Sequence, residues 1–151
     1  MNLYFTALSD LSRVEVKYTP PKISIKRNPK LAEVAIVGRN TPQYHYLGGV
    51  TDLDLELDFH SEDAGREDVI EKVKWFESLA YSDAFDAQPE TVRLTFGRLF
   101  RHNEIWTVKK VHYDLSLFDD KAGLLPRQAY VKLTLALDSS TNLRISDVRW
   151  R

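Results

Sequence analysis

The apolar positions of this chain recur mostly with the period of a strand. In "RVEVKY" at 13–18 and "KISIK" at 22–26 apolar and polar residues alternate, which sends successive side chains to opposite faces of an extended segment. Pro20 and Pro21 donate no backbone hydrogen bond and so divide the two strands. "LAEVAIVG" at 31–38 predicts a third strand, and "RNTPQYHYLGG" at 39–49 predicts a loop, with turns marked by Pro42 and by Gly48-Gly49. The most regular alternation follows, where Leu53, Leu55, Leu57 and Phe59 separate Asp52, Asp54, Glu56 and Asp58.

The period then changes to that of a helix. Across "SEDAGREDVIEKVKWFESLAY" the residues Val69, Ile70, Val73, Phe76 and Ala80 fall on one stripe, with Ser61 or Asp63 available as the cap and acidic residues in the first turn. Strand period returns in "TVRLTFG", which places Val92, Leu94 and Phe96 inward. A long strand from Glu104 or Ile105 changes phase midway. Trp106 and Val108 share one parity, whereas Val111, Tyr113, Leu115 and Leu117 share the other. A β-bulge near Lys109-Lys110 brings both sets to the core. After the turn "DDKAGLLP", "QAYVKLTLALD" sets Ala129, Val131, Leu133, Leu135 and Leu137 inward. About seven strands and one helix predict a β-rich α+β domain, mostly antiparallel, built as a sandwich or partial barrel with a flanking helix.

Composition narrows the class. A chain of 151 residues fits one domain, here 1–138, with 139–151 as a polar tail. Its 21 basic and 22 acidic residues nearly cancel, which excludes a global basic field for nucleic acid. The absence of cysteine excludes disulfides, thiolate metal sites and cysteine nucleophiles, and is the pattern of a cytoplasmic product. The start, "MNLYFTALSDLSRVEV", lacks the basic and continuous apolar regions of a secretory leader, and no apolar run reaches the ~20 residues that span a bilayer.

Candidate chemistry is sparse. The carboxylates of Asp52, Asp54, Glu56 and Asp58 stand beside His60, but alternate residues of a strand lie about 6.7 Å apart, too far for neighbours to share a cation bound at about 2.3–2.6 Å. The row reads first as a solvated strand face. His45, His60, His102 and His112 form no zinc-ligand spacing, and no nucleophile elbow, phosphate loop or dinucleotide turn is present. No cofactor or metal is expected, and no enzymatic role. Arg93, Arg98, Arg101, Lys109 and Lys110 interleave with Phe96, Phe100 and Trp106, as base-stacking surfaces do, but pleating alone produces that alternation. Trp75 and Leu79 lie well off the helix's buried stripe and are i,i+4 neighbours. They make either a second core layer under the C-terminal tail or a subunit interface.

The order of these features resembles a known family. "VEVKYTP", "ISIKRNPKLAEVAIVGRNTPQYHYLGG", "LDLELDF", "EDVIEKVKWFESL", "VRLTFG" and "DLSLFDDKAGLLPRQAYVKLTLAL" together, from about Val14 to Leu137, are similar to the tube-like proteins of contractile injection systems and contractile phage tails, in particular tube initiators or baseplate adaptors. The resemblance implies a virion or injection-particle structural protein made in the bacterial cytoplasm. It implies a homo-oligomeric ring, usually a hexamer, in which the sheets of neighbours join into one barrel around a lumen. Its implied partners are the tail tube protein, the baseplate hub or spike and the wedge proteins, with DNA only in passage and no membrane. Many such proteins continue into a LysM-type domain, whereas here only "SSTNLRISDVRWR" follows, so peptidoglycan binding is not expected and the 139–151 tail, with Arg149, Trp150 and Arg151, is expected to dock on a neighbouring subunit or baseplate protein. On this reading Trp75, Leu79, Tyr44, Tyr46 and Trp150 are candidate interface residues, and Asp52, Asp54, Glu56 and Asp58 candidate lumen residues. The competing class is a carbohydrate-binding or hydrolytic β-domain of a phage particle.

Overall fold

The computed structural model of the chain describes residues 2–61, 67–82, 89–119, 123–138 and 141–150. Seven strands, β1 (Leu3–Ala7), β2 (Arg13–Val16), β3 (Ile23–Val34), β4 (Gln43–His60), β5 (Thr91–Thr95), β6 (Trp106–Asp119) and β7 (Leu125–Leu137), pair antiparallel in the order β2-β1-β5-β6-β7-β4-β3. Helix α1 (Asp68–Ser78) packs on β7 and β6, and a single turn, α2 (Ile145–Val148), lies in the tail. This is a β-rich α+β fold.

The sheet does not lie flat. β2 and β3 occupy opposite edges yet are joined by residues 17–22 alone. Six inter-strand gaps would part those edges by about 29 Å in a plane, while the connection spans at most about 25 Å. The bend occurs at the β5–β6 joint, which is held by only Thr91↔Thr107 and Val92↔Trp106. A three-stranded half, β2-β1-β5, thereby folds over a four-stranded half, β6-β7-β4-β3. The end of β2 then reaches the end of β4, with the Tyr18 and His60 rings 5.9 Å apart.

The core fills the space between the halves. Leu53, Leu55, Leu57 and Phe59 of β4 and Ala129, Val131, Leu133 and Leu135 of β7 face Leu3, Phe5, Val16, Val92 and Leu94, all buried. Helix α1 closes one end. Phe76 meets Phe5 edge-on at a ring separation of 4.9 Å and Phe59 at 5.7 Å.

Several expectations change. β1 was not legible as a strand in its own right, although Leu3, Phe5 and Ala7 alternate inward. Most of the segment 22–26 and the first part of 31–38 belong to one strand, β3 (Ile23–Val34), with a register irregularity between Pro29 and Leu31, and the chain turns at 36–39 instead. The expected loop 39–49 is mostly strand, because residues 43–50 pair with β3. In α1, Val69, Val73 and Phe76 are buried as expected, but Leu79 takes the place of Ala80, which is exposed. Its cap position is Glu67, with no side-chain capping bond. Ser61 instead ends β4 by donating its N–H to Arg127 at 2.8 Å, and Asp63 lies outside the described residues. The β6 bulge is found where expected, between Val108 and Lys110. Val111, Tyr113 and Leu115 pack on the core, but Leu117 is 61% exposed with φ of 56°.

Candidate assembly edges and the acidic strand face

The acidic row lies on the side of β4 opposite the core. Cross-strand register places Asp54 against Thr134, Glu56 against Lys132 and Asp58 against Tyr130 on β7, and Asp52 against Lys26 on β3. Thr134 Oγ1 donates to Asp54 at 3.0 Å, and Lys109, displaced by the bulge, reaches Asp52 at 3.4 Å. Tyr130 donates its hydroxyl to Glu56. That bond, with partial desolvation and the charges of Glu56, Asp58 and Asp114, pushes the phenol up to about 12. The face is therefore mixed: Asp114 adds a carboxylate, and Lys26, Lys109, Lys110 and Lys132 set cations among the acids. Arg93 takes no part, since β5 does not border β4. Among the described residues no cluster of three or more His, Asp or Glu side chains is placed to hold a metal ion.

The four-stranded half presents two open edges among the described residues. β3 has no neighbour beyond β4, and β6 loses its β5 partner after Thr107, so residues 108–119 pair on one side only. Sequence reasoning missed this second edge. The signal available was a mismatch in length, a five-residue β5 closed by Gly97 against a fourteen-residue β6.

Below the core, the β3–β4 hairpin continues as a two-stranded arm. The last β4–β7 pair is Asp52↔Ala136, so residues 27–34 and 43–50 stand about 27 Å beyond the sheet. Between Pro29↔Gly49 and Leu31↔Tyr46, β4 uses one residue more than β3, and Gly48 takes the left-handed φ of 103° that this bulge needs. The extra residue flips parity. Tyr44 and Tyr46 are carried to the face continuous with the core side, opposite Glu33 and Leu31, and remain 57% and 63% exposed. Arg27 is bound on that face by Thr51 Oγ1 at 3.0 Å and by the Tyr46 hydroxyl. Gly49 is required by proximity, because a Cβ there would lie 2.6 Å from the Asn28 carbonyl oxygen.

The remaining candidates separate. Leu79 is 2% exposed and Trp75 is half-buried, its ring edge-on to Phe76 at 5.2 Å and its indole N–H donated to Ser12 Oγ at 2.9 Å. They form the second core layer, yet the cover is the β1–β2 turn and not the C-terminal tail. Leu79 is covered on this chain, whereas Trp75 keeps part of its surface open beside Ser12 and Ser78. Trp150 is 68% exposed, with Arg98 5.1 Å above its ring, while Arg101 donates to the Arg149 carbonyl at 3.3 Å. The tail thus rests on the 98–101 segment of its own chain.

No protein-family model matches this chain, and no curated protein matches it.

Proposed function

We propose that this chain is a structural, ring-forming protein whose copies join edge to edge, β3 of one to β6 of the next. The observation that carries the reading is the pair of open edges. Strand directions alternate through β6-β7-β4-β3, so a second copy placed beside β3 presents its β6 in the direction that continues the alternation. Such head-to-tail pairing closes into a ring when the rotation permits, and satisfies the N–H and C=O groups that an open edge leaves exposed. Placement as the initiator or adaptor between the baseplate hub and the tube of a contractile tail or injection system follows from the sequence resemblance. In that ring the face carrying Asp52, Asp54, Glu56 and Asp58 lines the channel. Its interspersed lysines make the wall close to neutral, a surface that lets DNA pass without strong attraction.

The test is mass in solution together with electron microscopy. Wild-type protein should populate ring-sized oligomers, whereas Ile25→Lys, a charge on the β3 edge at a half-exposed position, should shift them to monomer with the melting temperature unchanged within about 2 °C. A monomer that binds or cleaves glycan would overturn the proposal.

A further inference from the structure

We infer that the seam between copies has a defined register, in which Lys26 of one chain lies opposite Asp114 of the next, with strands inclined about 45° to the ring axis. This rests on the ring reading above and goes beyond it by naming the residues that meet.

The two open edges do not lie at the same height. Lys110, Thr134, Asp54 and Ser24 form one row across the four strands. Relative to that row, the unpaired part of β6 extends upward from Val108 to Asp119, while β3 extends downward through the arm to Val34. A neighbour added with no stagger would waste most of both edges. It would also set Lys26 near Lys109, like charge beside like.

A closed barrel resolves the mismatch. Its strands must tilt by about 35–45°, which imposes a stagger between successive units. A unit of four strands is about 19 Å wide, so that tilt displaces the next copy by about 13–19 Å along the strands, or roughly four to six residues. Only even offsets keep core-side residues on the core side, which leaves four and six.

Side chains choose between them. With four, Lys26 meets His112 and Ser24 meets Asp114. With six, Ser24 meets Ser116, Lys26 meets Asp114, and on the other face Ile25 meets Leu115 and Ile23 meets Leu117. The larger offset pairs opposite charges directly across the seam, an arrangement that stabilises strand pairs, and covers Ile25 and Leu117, which are 51% and 61% exposed in the single chain. Asp52 is already met by Lys109 at 3.4 Å, so Lys26 has its second acidic neighbour across the seam.

The absence of cysteine allows a direct test by disulfide trapping. The double variants Lys26→Cys/Asp114→Cys and Lys26→Cys/His112→Cys, with the single variant Lys26→Cys, are oxidised by copper phenanthroline and run without reductant, beside the sedimentation of wild-type protein. The first should give a ladder of covalent oligomers several-fold stronger than the second, and the single variant none. A stronger ladder from Lys26→Cys/His112→Cys overturns the six-residue register while the ring reading stands. So does wild type that forms rings when neither double variant cross-links. Dimers from the single variant would mean β3 pairs with β3 about a two-fold axis, which removes both. Monomeric wild type with no cross-link in any variant also removes both.

Discussion

Trp75 and Tyr130 show how a neighbour, more than a residue's own type, sets its role. Trp75 is held by Ser12 and by the Phe76 ring, so Trp75→Ala should lower stability by about 3 kcal/mol, as truncation of a large packed aromatic does, while Ser12→Ala should cost about 1 kcal/mol for one lost hydrogen bond. Urea denaturation read by circular dichroism separates the two. Tyr130 has its folded-state pKa raised to about 12 by the Glu56 hydrogen bond. A group that keeps its proton longer when folded favours the fold at neutral pH and loses that contribution as pH rises from about 10 to about 12. The difference in ultraviolet titration between wild type and Tyr130→Phe should therefore show one late phenol, and Glu56→Gln should bring it down.

At the scale of elements, the proposed ring would be joined through the β3 side of the arm and the long β6 strand. The arm stands outside the packed core, whereas β6 packs one face on it through Trp106, Val108, Val111, Tyr113 and Leu115 and leaves one edge unpaired. The arm depends on two glycines that serve different ends: Gly48 for a backbone angle and Gly49 for room. Gly49→Ala should disrupt the ribbon locally and reduce oligomer formation while the melting temperature changes little, because the arm stands outside the packed core. Differential scanning calorimetry beside analytical ultracentrifugation checks both halves of that expectation; a large fall in melting temperature would instead tie the arm to the core. The sequence already contained the alternating β4 core strand, the α1 stripe and the β6 bulge, since each is a local pattern of side-chain spacing. It misplaced the β4 side of the arm as a loop, because Pro42 and the Gly48-Gly49 pair read as turn residues, and only the pairing of 43–50 with β3 makes that segment strand.

At the scale of the whole molecule, the fold is one sheet bent at a two-pair joint, so that a three-stranded half covers one face of the four-stranded half and, among the described residues, leaves the other uncovered. Exposed charge on that face is shared between signs, so in the proposed ring raising salt from about 0.05 to 0.5 M should weaken oligomer formation modestly, by screening the Lys26–Asp114 pair and not by relieving long-range repulsion. Lys26→Glu should weaken assembly, and Lys26→Glu/Asp114→Lys should restore it, as read by mass photometry. What the amino-acid order determines alone is which residues are apolar, at what period, and hence the β-rich class, the helix and the site of the phase slip, because those are set by neighbours within a few positions. Tertiary structure alone decides that β2 and β3 become opposite edges, that β6 outruns β5, that Trp75 and Leu79 sit under the β1–β2 turn, and that lysines from three other elements enter the acidic face. Each of these is a meeting of residues far apart in the chain, and strand pairing at long separation is chosen by the packing of the whole core, which no local period encodes.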